Sequence, residues 1–467
     1  MLFNSYHFFI FVIIVLVCKN LFNRYETVQK IILLLSCYYF YGLWSWPYLA
    51  LILTTTTVDF FVAQRIHQKR KPKVMVLTSL CVNLGILCFF KYANFFIDTT
   101  NKSLGFLGGT RHLALLNILL PVGISFYTFK SISYVIDVYR GNLKPRRNYL
   151  DYALYVSFFT NLLAGPIVRA TTFFPQLDSK EKPSFFDVQE GVGLILFGLV
   201  KKMVIADNLA LLASPAFNSP SAFGAWDTLL GVYAYTFQIY FDFSGYSDIA
   251  IGTSKLFGFR FLKNFDHPYV STSFQEFWRR WHISLSTWLR DYLYIGMGGS
   301  RRGRLCTVIN IMITMLLGGL WHGASWNFVL WGGLHGAYLT VERQLRTMYP
   351  RFWESKSYPV LLLRLLLVFN ITALTWVFFR SSSFSDAIKV FHNLLAVFAS
   401  TPRTAASSVC LLLSFFLSLH LLSNYSDWQE RLRTMHGSII TGGYSIALIS
   451  LVFLSPNTFT PFIYFKF

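Results

Sequence analysis

The chain of 467 residues is 54% hydrophobic and only 13% charged, whereas a soluble domain usually carries about a quarter charged residues. This composition excludes an ordinary soluble protein. The formal net charge of +20 is compatible with nucleic-acid binding, but the basic residues cluster in short loops between apolar runs, which is typical of membrane proteins. We therefore expect no nucleic-acid partner.

Apolar stretches of bilayer-spanning length recur along the whole sequence. Crossing the hydrocarbon core takes roughly 20 apolar residues in a helix, because lipid offers no partner for an open backbone amide. The sequence therefore predicts an all-α polytopic membrane protein with about eleven transmembrane helices. The predicted spans are 5–22, 27–45, 48–65, 74–95, 113–138, 226–256, 304–322, 325–345, 358–379, 407–424 and 437–455.

Two further apolar stretches, near 150–176 and 187–214, carry polar residues. In the first, Gly165 and Pro166 interrupt a helix, and Arg169 would lie in or near lipid. Irregular backbone at membrane depth is tolerated where protein covers it, so a re-entrant element is favoured over a kinked ordinary helix. No linker is visible, which predicts one integral domain over 1–467. Its predicted parts are N-terminal helices 1–140, a core 149–345 with the re-entrant elements, and C-terminal helices 358–467.

Two acidic residues, Asp242 and Asp248, lie inside an otherwise apolar segment. Intramembrane carboxylates generally face a cavity or a charged partner. Their spacing of six does not place them on one helix face, so we do not interpret them as a catalytic pair. We expect instead a structural pairing with Arg279 or Arg280.

The segment 273–294 is rich in Trp and Arg and has helical periodicity. An apolar stripe and a polar stripe follow from a period of 3.6 residues. An interfacial amphipathic helix explains this composition without any chemistry, but the polar stripe also contains a histidine. The apolar stripe comprises Trp278, Trp281, Leu285, Trp288 and Tyr292, and the polar stripe Arg279, His282, Ser286 and Arg290.

The glycine-rich segment 317–336 contains two further histidines. A helix is predicted to end at His322, and a second helix to start near Trp326 with Ser325 as its N-cap. His335 lies well inside that second helix. A lone histidine in an apolar helix is more often a buried hydrogen-bonding residue than a catalyst, so these residues by themselves leave both roles open.

Several motifs, taken together, resemble the membrane-bound O-acyltransferase (MBOAT) family, within it the bacterial branch that acetylates alginate and other envelope polysaccharides. The resemblance implies a ring of helices around a thin central partition pierced by a tunnel. It implies that His322 of the Trp-His-Gly motif is the signature catalytic residue, and that His282 occupies the second functional position. The motifs are Pro121–Phe129, Gly165–Arg169, Tyr240–Asp248, Phe277–His282 and Trp321–Gly323.

The reaction that the resemblance implies is acyl transfer, of acetyl in the first instance, from a thioester to a hydroxyl. Neutral imidazole, with a pKa near 6.5, suits removal of the hydroxyl proton, so His322 is expected to be the general base. His282 would position the acceptor or stabilise the developing oxyanion. Acetyl-CoA is the expected donor, with no permanently bound cofactor. The expected partners are membrane lipid, a polysaccharide acceptor and a secreted SGNH-type acetyltransferase, and the expected location is the cell (inner or plasma) membrane.

Other classes of function have less support. A transporter that moves acyl groups or glycans without chemistry would be favoured by inverted repeats, and none is visible. A transferase of D-alanyl type acting on a cell-wall polymer remains an alternative, whereas a non-enzymatic scaffold explains neither the histidines nor the broken helices. A metal held by His282 and His322 would need a third ligand, so no metal is expected. The chain lacks the Gly-x-Ser-x-Gly and His-Glu-x-x-His motifs of serine hydrolases and zinc proteases.

Overall fold

The computed structural model describes residues 1–109, 112–163, 165–179, 181–398, 404–424, 435–457 and 460–466. Within these ranges the chain is helical and has no β-strand, which confirms the all-α prediction. The chain packs as two compact units. The first comprises Met1–Val192 with Ala250–Leu262, and the second comprises Gly193–Ile249 with Lys263–Phe467. The predicted single domain stays a prediction.

The first unit is built from helices that are separated by short loops. Ser5 caps the first helix by accepting a hydrogen bond from Phe8 N at 3.3 Å, and prolines stand in the first turn of the third and fourth helices, where a missing N–H costs nothing. The helices are α1 Tyr6–Leu21, α2 Glu26–Gly42, α3 Trp46–His67, α4 Pro72–Leu87, α5 Ala93–Phe106, α6 Ile124–Arg140, α7 Tyr149–Ser157, α8 Ala170–Ser179 and, leading into the second unit, α9 Phe185–Leu199.

Most of the longest helix belongs to the second unit, where two helices of only seven and six residues also follow one another. A π-helical segment, Val200–Ala206, follows α9, and another, Leu289–Tyr294, follows α13. The helices are α10 Asp207–Asn218, α11 Ala225–Leu256, α12 Phe274–Arg280, α13 Ile283–Trp288, α14 Gly303–His322, α15 Trp326–Met348, α16 Pro350–Glu354, α17 Tyr358–Arg380, α18 Phe384–Leu395, α19 Thr404–Asn424 and α20 Gly437–Leu454.

Five helical stretches of the described chain are long and apolar enough to cross a membrane. Many apolar side chains on them are exposed, including Leu77, Leu362 and Val452, as expected of surfaces that face lipid. Eleven spans and a ring-shaped arrangement stay predictions. The five stretches are Trp46–His67, Pro72–Phe106, Gly303–His322, Tyr358–Arg380 and Gly437–Leu454.

The predicted span 113–138 is wrong at its start, because helix α6 begins only at Ile124. The preceding residues are held in a non-helical conformation by two asparagine side chains. Asn94 exchanges two hydrogen bonds of 2.8–2.9 Å with the backbone of Leu116, and Asn101 does the same with Leu113. These side chains bind backbone groups that a helix would otherwise pair.

The predicted break near Gly165 and Pro166 is confirmed. The short helices α7 and α8 are separated by residues 158–169, whose described part (158–163 and 165–169) contains one 3₁₀ turn, Phe159–Asn161. Helix α7 has nine residues and α8 has ten, and neither is long enough to cross a bilayer alone. A re-entrant path through a membrane remains a prediction.

Candidate active site

The predicted single helix over 273–294 is wrong, because the chain breaks at His282. Ser273 caps α12 by accepting from Glu276 N at 3.0 Å, and the helix ends at Arg280. His282 then takes the left-handed conformation, with φ of 41°, and α13 begins at the next residue. This conformation costs a non-glycine residue of order 1–3 kcal/mol, so the surrounding contacts must hold it.

Asn264 supplies those contacts. Its carbonyl oxygen accepts from Ile283 N at 2.8 Å. Its side-chain Oδ1 accepts from Ser284 N at 3.1 Å and from Ser284 Oγ at 2.8 Å, and lies 3.2 Å from His282 Nδ1. One asparagine therefore binds both the backbone that leaves the break and the imidazole at the break.

The bond to Asn264 also fixes the protonation of the His282 ring. Because Oδ1 accepts from the Ser284 backbone, the orientation of the amide is settled, and an amide oxygen can only accept. His282 Nδ1 must then carry the proton, and Nε2 presents a lone pair. Nε2 is buried and has no hydrogen-bond partner among the described residues. Burial lowers the pKa of His282 to about 3, so the ring is neutral near pH 7.

His322 is the last residue of α14 and is buried. Two glycines allow α14 to approach α15 closely: a Cβ at Gly319 would clash with the carbonyl group of Phe328, and one at Gly332 with that of Met315. This close approach brings the His322 ring against aromatic side chains. The ring centroids lie 5.1 Å from Trp321, 5.0 Å from Trp331, 5.3 Å from Phe379 and 5.5 Å from Tyr464.

The two predicted site histidines lie in one group of aromatic side chains, the aromatic enclosure, which includes Trp321, Phe243 and Tyr464. The ring of Trp321 contacts both, at 5.8 Å from His282 and 5.1 Å from His322. A second path runs from His282 to Phe243 at 4.7 Å, from Phe243 to Tyr464 at 4.3 Å, and from Tyr464 to His322 at 5.5 Å. The structure thus brings the pair together, while the catalytic roles themselves stay predictions.

Sequence reasoning missed Asn264 and Tyr464. Neither residue lies in a motif that points to chemistry, and each comes from a segment outside the helices that flank the two histidines. Within the described ranges, no three His, Cys, Asp or Glu side chains cluster as metal ligands would.

His335 lies inside α15, in the same aromatic cluster but without a direct ring contact to either site histidine among the described contacts. Its centroid is 4.8 Å from that of Trp331 and 5.2 Å from that of Trp278. Its Nε2 is 3.4 Å from Thr375 Oγ1. These contacts are compatible with a packing role, and the Nδ1 of His335, like Nε2 of His282, is buried with no hydrogen-bond partner among the described residues.

The predicted pairing of Asp242 or Asp248 with Arg279 or Arg280 is wrong. Asp242 Oδ1 lies 2.6 Å from Lys202 Nζ, and Asp248 Oδ2 lies 2.6 Å from Lys201 Nζ. Both lysines belong to the π-helical segment Val200–Ala206, whose extra residue per turn redirects side chains relative to an α-helix. In the sequence, helix α10 lies between these lysines and the aspartates that they pair with.

The second unit also contains a cavity of about 650 Å³, which neither His282 nor His322 lines. Ile283, next to His282, lines it, as does Met315, which is about 10 Å along α14 from His322. Four arginines and one glutamate contribute the charge. The lining residues are Gln275, Trp278, Arg279, Ile283, Ser286, Thr287, Leu289, Arg290, Tyr294, Ile311, Thr314, Met315, Leu339, Glu342, Arg343 and Arg346.

The arginines of this cavity differ in how they are paired. Arg346 is bound to Glu342 at 3.0 Å and Arg290 to Asp291 at 2.6 Å, whereas Arg279 and Arg343 pair with no carboxylate within the described part of the chain. The cavity is therefore electropositive, and it has the donors needed to bind an anionic group. Three residues of the predicted polar stripe line it, but His282 does not.

Comparison with known proteins identifies the family of this chain. Residues 145–383 match the family model described as MBOAT, membrane-bound O-acyltransferase family. The probable alginate O-acetylase AlgI of Pseudomonas syringae pv. tomato is 41% identical over 79% of this chain and 71% of its own. That of Pseudomonas putida is 37% identical over 95% of both chains. The peptidoglycan O-acetyltransferase of Helicobacter pylori is 37% identical over 79% of this chain and 74% of its own.

These matches cover most of this chain and most of each relative. The chain belongs to the membrane-bound O-acyltransferase family and is a multi-pass membrane enzyme that catalyses O-acyl transfer.

Proposed function

We propose that the enzyme takes an acetyl group from cytoplasmic acetyl-CoA and passes it across the membrane for O-acetylation of an envelope or extracellular polysaccharide. The observation that carries the proposal is the enclosure in which Trp321 contacts both His282 and His322. The relatives support the acyl group and the acceptor class, since their names specify O-acetylation of alginate and of peptidoglycan.

In the proposed reaction, His322 removes the proton of a hydroxyl as its oxygen attacks the thioester carbonyl. The new C–O bond forms, the C–S bond breaks, and the thiolate of the donor leaves and takes up the proton. A positioned general base typically contributes about 10²–10⁴-fold to such a step. The aromatic rings around His322 would also limit access of water and thereby competing hydrolysis of the thioester.

His282 is better suited to position the acceptor hydroxyl than to stabilise an oxyanion. An oxyanion needs a hydrogen-bond donor, and the Nδ1 proton of His282 is already bound by Asn264. The buried Nε2 offers a lone pair, which accepts a hydrogen bond from a hydroxyl. This argument favours the first of the two roles expected for His282.

The electropositive cavity is the proposed entrance for the donor. Acetyl-CoA carries phosphate groups, and arginine binds phosphate through paired N–H donors. Arg279 and Arg343 are the lining arginines with no carboxylate partner in the described residues. We further propose location in the cell inner membrane and delivery of acetyl to the polymer by a secreted SGNH-type partner.

The test of function compares wild type with His322→Ala at equal protein levels. In cells, His322→Ala should abolish O-acetylation of the polymer. Purified wild-type enzyme should release free CoA thiol from acetyl-CoA when a hydroxyl acceptor is present, at least about 100-fold faster than the variant. Full acetylation in His322→Ala cells would contradict the proposal, and activity only with an aminoacyl carrier protein would favour the D-alanyl alternative.

The donor site is tested with the double variant Arg279→Ala, Arg343→Ala. Loss of two charge-assisted contacts should raise the KM for acetyl-CoA by at least about tenfold, with less change in kcat. Arg351→Ala is the matched control, because Arg351 is an exposed arginine of the same unit that does not line the cavity. An equal effect in all variants would argue against the cavity as the donor site.

A further inference from the structure

A buried ion cluster lies at the junction of the π-helical segment Val200–Ala206 with α10 and α11. Lys202 Nζ is 2.6 Å from Asp242 Oδ1 and 2.7 Å from Asp207 Oδ1. The side chains of Lys202 and Asp242 are each 1% exposed. Taking such charges out of water costs several kcal/mol per ion, which the attraction between them need not repay. The cluster therefore calls for an explanation other than stability.

Both members of the central pair also bind backbone groups of one distant segment. Lys202 Nζ donates to Thr460 O at 3.0 Å, and Asp242 Oδ2 accepts from Ile463 N at 2.8 Å. The ion pair is therefore attached at two points to residues 460–464, which we call the 460–464 segment. These bonds reach backbone atoms, so they fix the path of the segment whatever its side chains are.

The side chains of the 460–464 segment extend to the histidine site. Phe462 stacks on Tyr246 with a centroid distance of 4.2 Å. Tyr464 lies 4.3 Å from Phe243, which contacts His282, and 5.5 Å from His322. The hydrogen bond at Ile463 lies between these two aromatic residues along the chain.

We propose that Lys202 and Asp242 are positioning residues that fasten the 460–464 segment against the histidine pair, so that this segment is a built part of the site. The proposal rests on the proposed acyl transfer for its consequence, namely that loosening the segment slows the reaction. The attachment of the 460–464 segment by Lys202 and Asp242 does not depend on the proposed function, and it can be measured without an activity assay.

A neighbouring ion pair offers a matched control. Lys201 and Asp248 come from the same π-helical segment and the same helix α11, and they pair with each other at 2.6 Å. Their side chains are 30% and 19% exposed, and the hydrogen bonds of the described residues join the 460–464 segment to Lys202 and Asp242 instead. The test variant is Lys202→Met, Asp242→Leu, which removes both the donor to Thr460 and the acceptor for Ile463 N, and the control variant is Lys201→Met, Asp248→Leu.

The first measurement is amide hydrogen exchange of the full chain in lipid nanodiscs. Peptides covering 460–466 should exchange at least about tenfold faster in the test variant than in wild type, and at the wild-type rate in the control variant. Unchanged exchange in the test variant would overturn the fastening. This outcome is distinct from failure of the proposed function, which is seen as absence of acyl transfer in wild type.

The second measurement is steady-state kinetics with acetyl-CoA. Loosening the segment should lower kcat by at least about tenfold and change KM for acetyl-CoA by less than about threefold, because the segment contacts His322 and not the arginine-lined cavity. Equal loss of activity in test and control variants would indicate a merely structural cluster and would overturn the positioning role.

A backbone variant keeps the proposal falsifiable if the ion-pair variant does not fold. Ile463→Pro removes the N–H that Asp242 accepts but leaves the ion cluster intact, and proline is tolerated at the first position of the helical turn that starts there. Ile463→Val, which keeps the N–H, is its control. Faster exchange and lower kcat in the proline variant alone would support the fastening, and equal behaviour of the two variants would overturn it.

Discussion

His282 and His335 are both fully buried in the second unit, but the chain holds them in different ways. His282 lies at a break between two short helices, has a φ of 41°, and is bound through Nδ1 to Asn264. His335 lies within the regular helix α15, and its Nε2 is 3.4 Å from a threonine hydroxyl. Burial is common to both, so burial does not identify the functional one.

The difference lies in backbone conformation and in orientation of the ring. Left-handed non-glycine residues persist where the surrounding structure holds them, and they cluster at functional sites. At His282 the same asparagine holds the backbone and orients the imidazole. At His335 aromatic packing is sufficient to explain the position. We therefore propose a chemical role for His282 and a packing role for His335.

The largest effect is expected from removing the His282 imidazole. His282→Ala and His282→Gly should each lower kcat by at least about 100-fold, measured as release of CoA thiol by purified enzyme. The glycine variant adopts a positive φ without strain, so it separates loss of the ring from loss of backbone conformation. If His282→Gly retains activity, the ring has no role and the comparison fails.

Tyr464→Phe extends the comparison to the surroundings of each histidine. Tyr464 places a hydroxyl-bearing ring against His322 and Phe243, whereas the ring neighbours of His335 include Trp331 and Trp278. We expect the hydroxyl to bind the acceptor in the reacting complex, so removing it while keeping the ring should lower the rate of acyl transfer by at least about tenfold, the effect of one hydrogen bond of about 1.4 kcal/mol. A variant as active as wild type would restrict Tyr464 to packing.

Asn264 tests whether orientation of His282 matters, as distinct from its presence. Asn264→Ala should lower kcat about tenfold, because the tautomer and the break lose their common partner. Asn264→Asp keeps an acceptor but adds a negative charge, which favours imidazolium and raises the pKa of His282 from about 3. As pH falls through the raised pKa, Nε2 becomes protonated and activity is lost.

The two Asn264 variants are compared with the wild-type enzyme through the pH profile of kcat. In the wild-type enzyme, protonation of His282 should not lower kcat above pH 5, because burial keeps the pKa of His282 at about 3. Asn264→Asp should show a new acidic limb, while Asn264→Ala should be slower at every pH. Identical profiles for the Asn264→Asp variant and the wild-type enzyme would mean that the introduced carboxyl does not act on the ring.

Much of the fold could be predicted from the sequence because apolar runs of spanning length are local signals. Helix α14 begins within one residue of its predicted start and ends at His322 as predicted. The N-cap position of α15 was also predicted at Ser325, although the structure shows no side-chain cap bond there. Local periodicity is sufficient for such features, since each depends on neighbours along the chain.

The break at His282 could not be predicted in the same way. Both halves of the segment 273–294 keep a helical period, and the interruption is caused by bonds from Asn264, which precedes the segment. Likewise, the partners of Asp242 and Asp248 are lysines of a π-helical segment, not the arginines that the sequence alone favoured. These features depend on tertiary contacts that one sequence does not reveal.

The smallest effect is expected at His335, and it is the one on which the comparison depends most. His335→Leu keeps a similar side-chain volume and removes the 3.4 Å contact with Thr375. Thr375 Oγ1 also donates to Thr372 O at 2.7 Å, so the substitution leaves no orphaned hydroxyl. We expect a loss of about 1 kcal/mol in stability, seen as a lower thermal midpoint, and specific activity within about threefold of wild type. Activity as low as that of His282→Gly would show that His335 serves the reaction as well as His282 and His322, and that a strained backbone does not distinguish a functional histidine from a packing one.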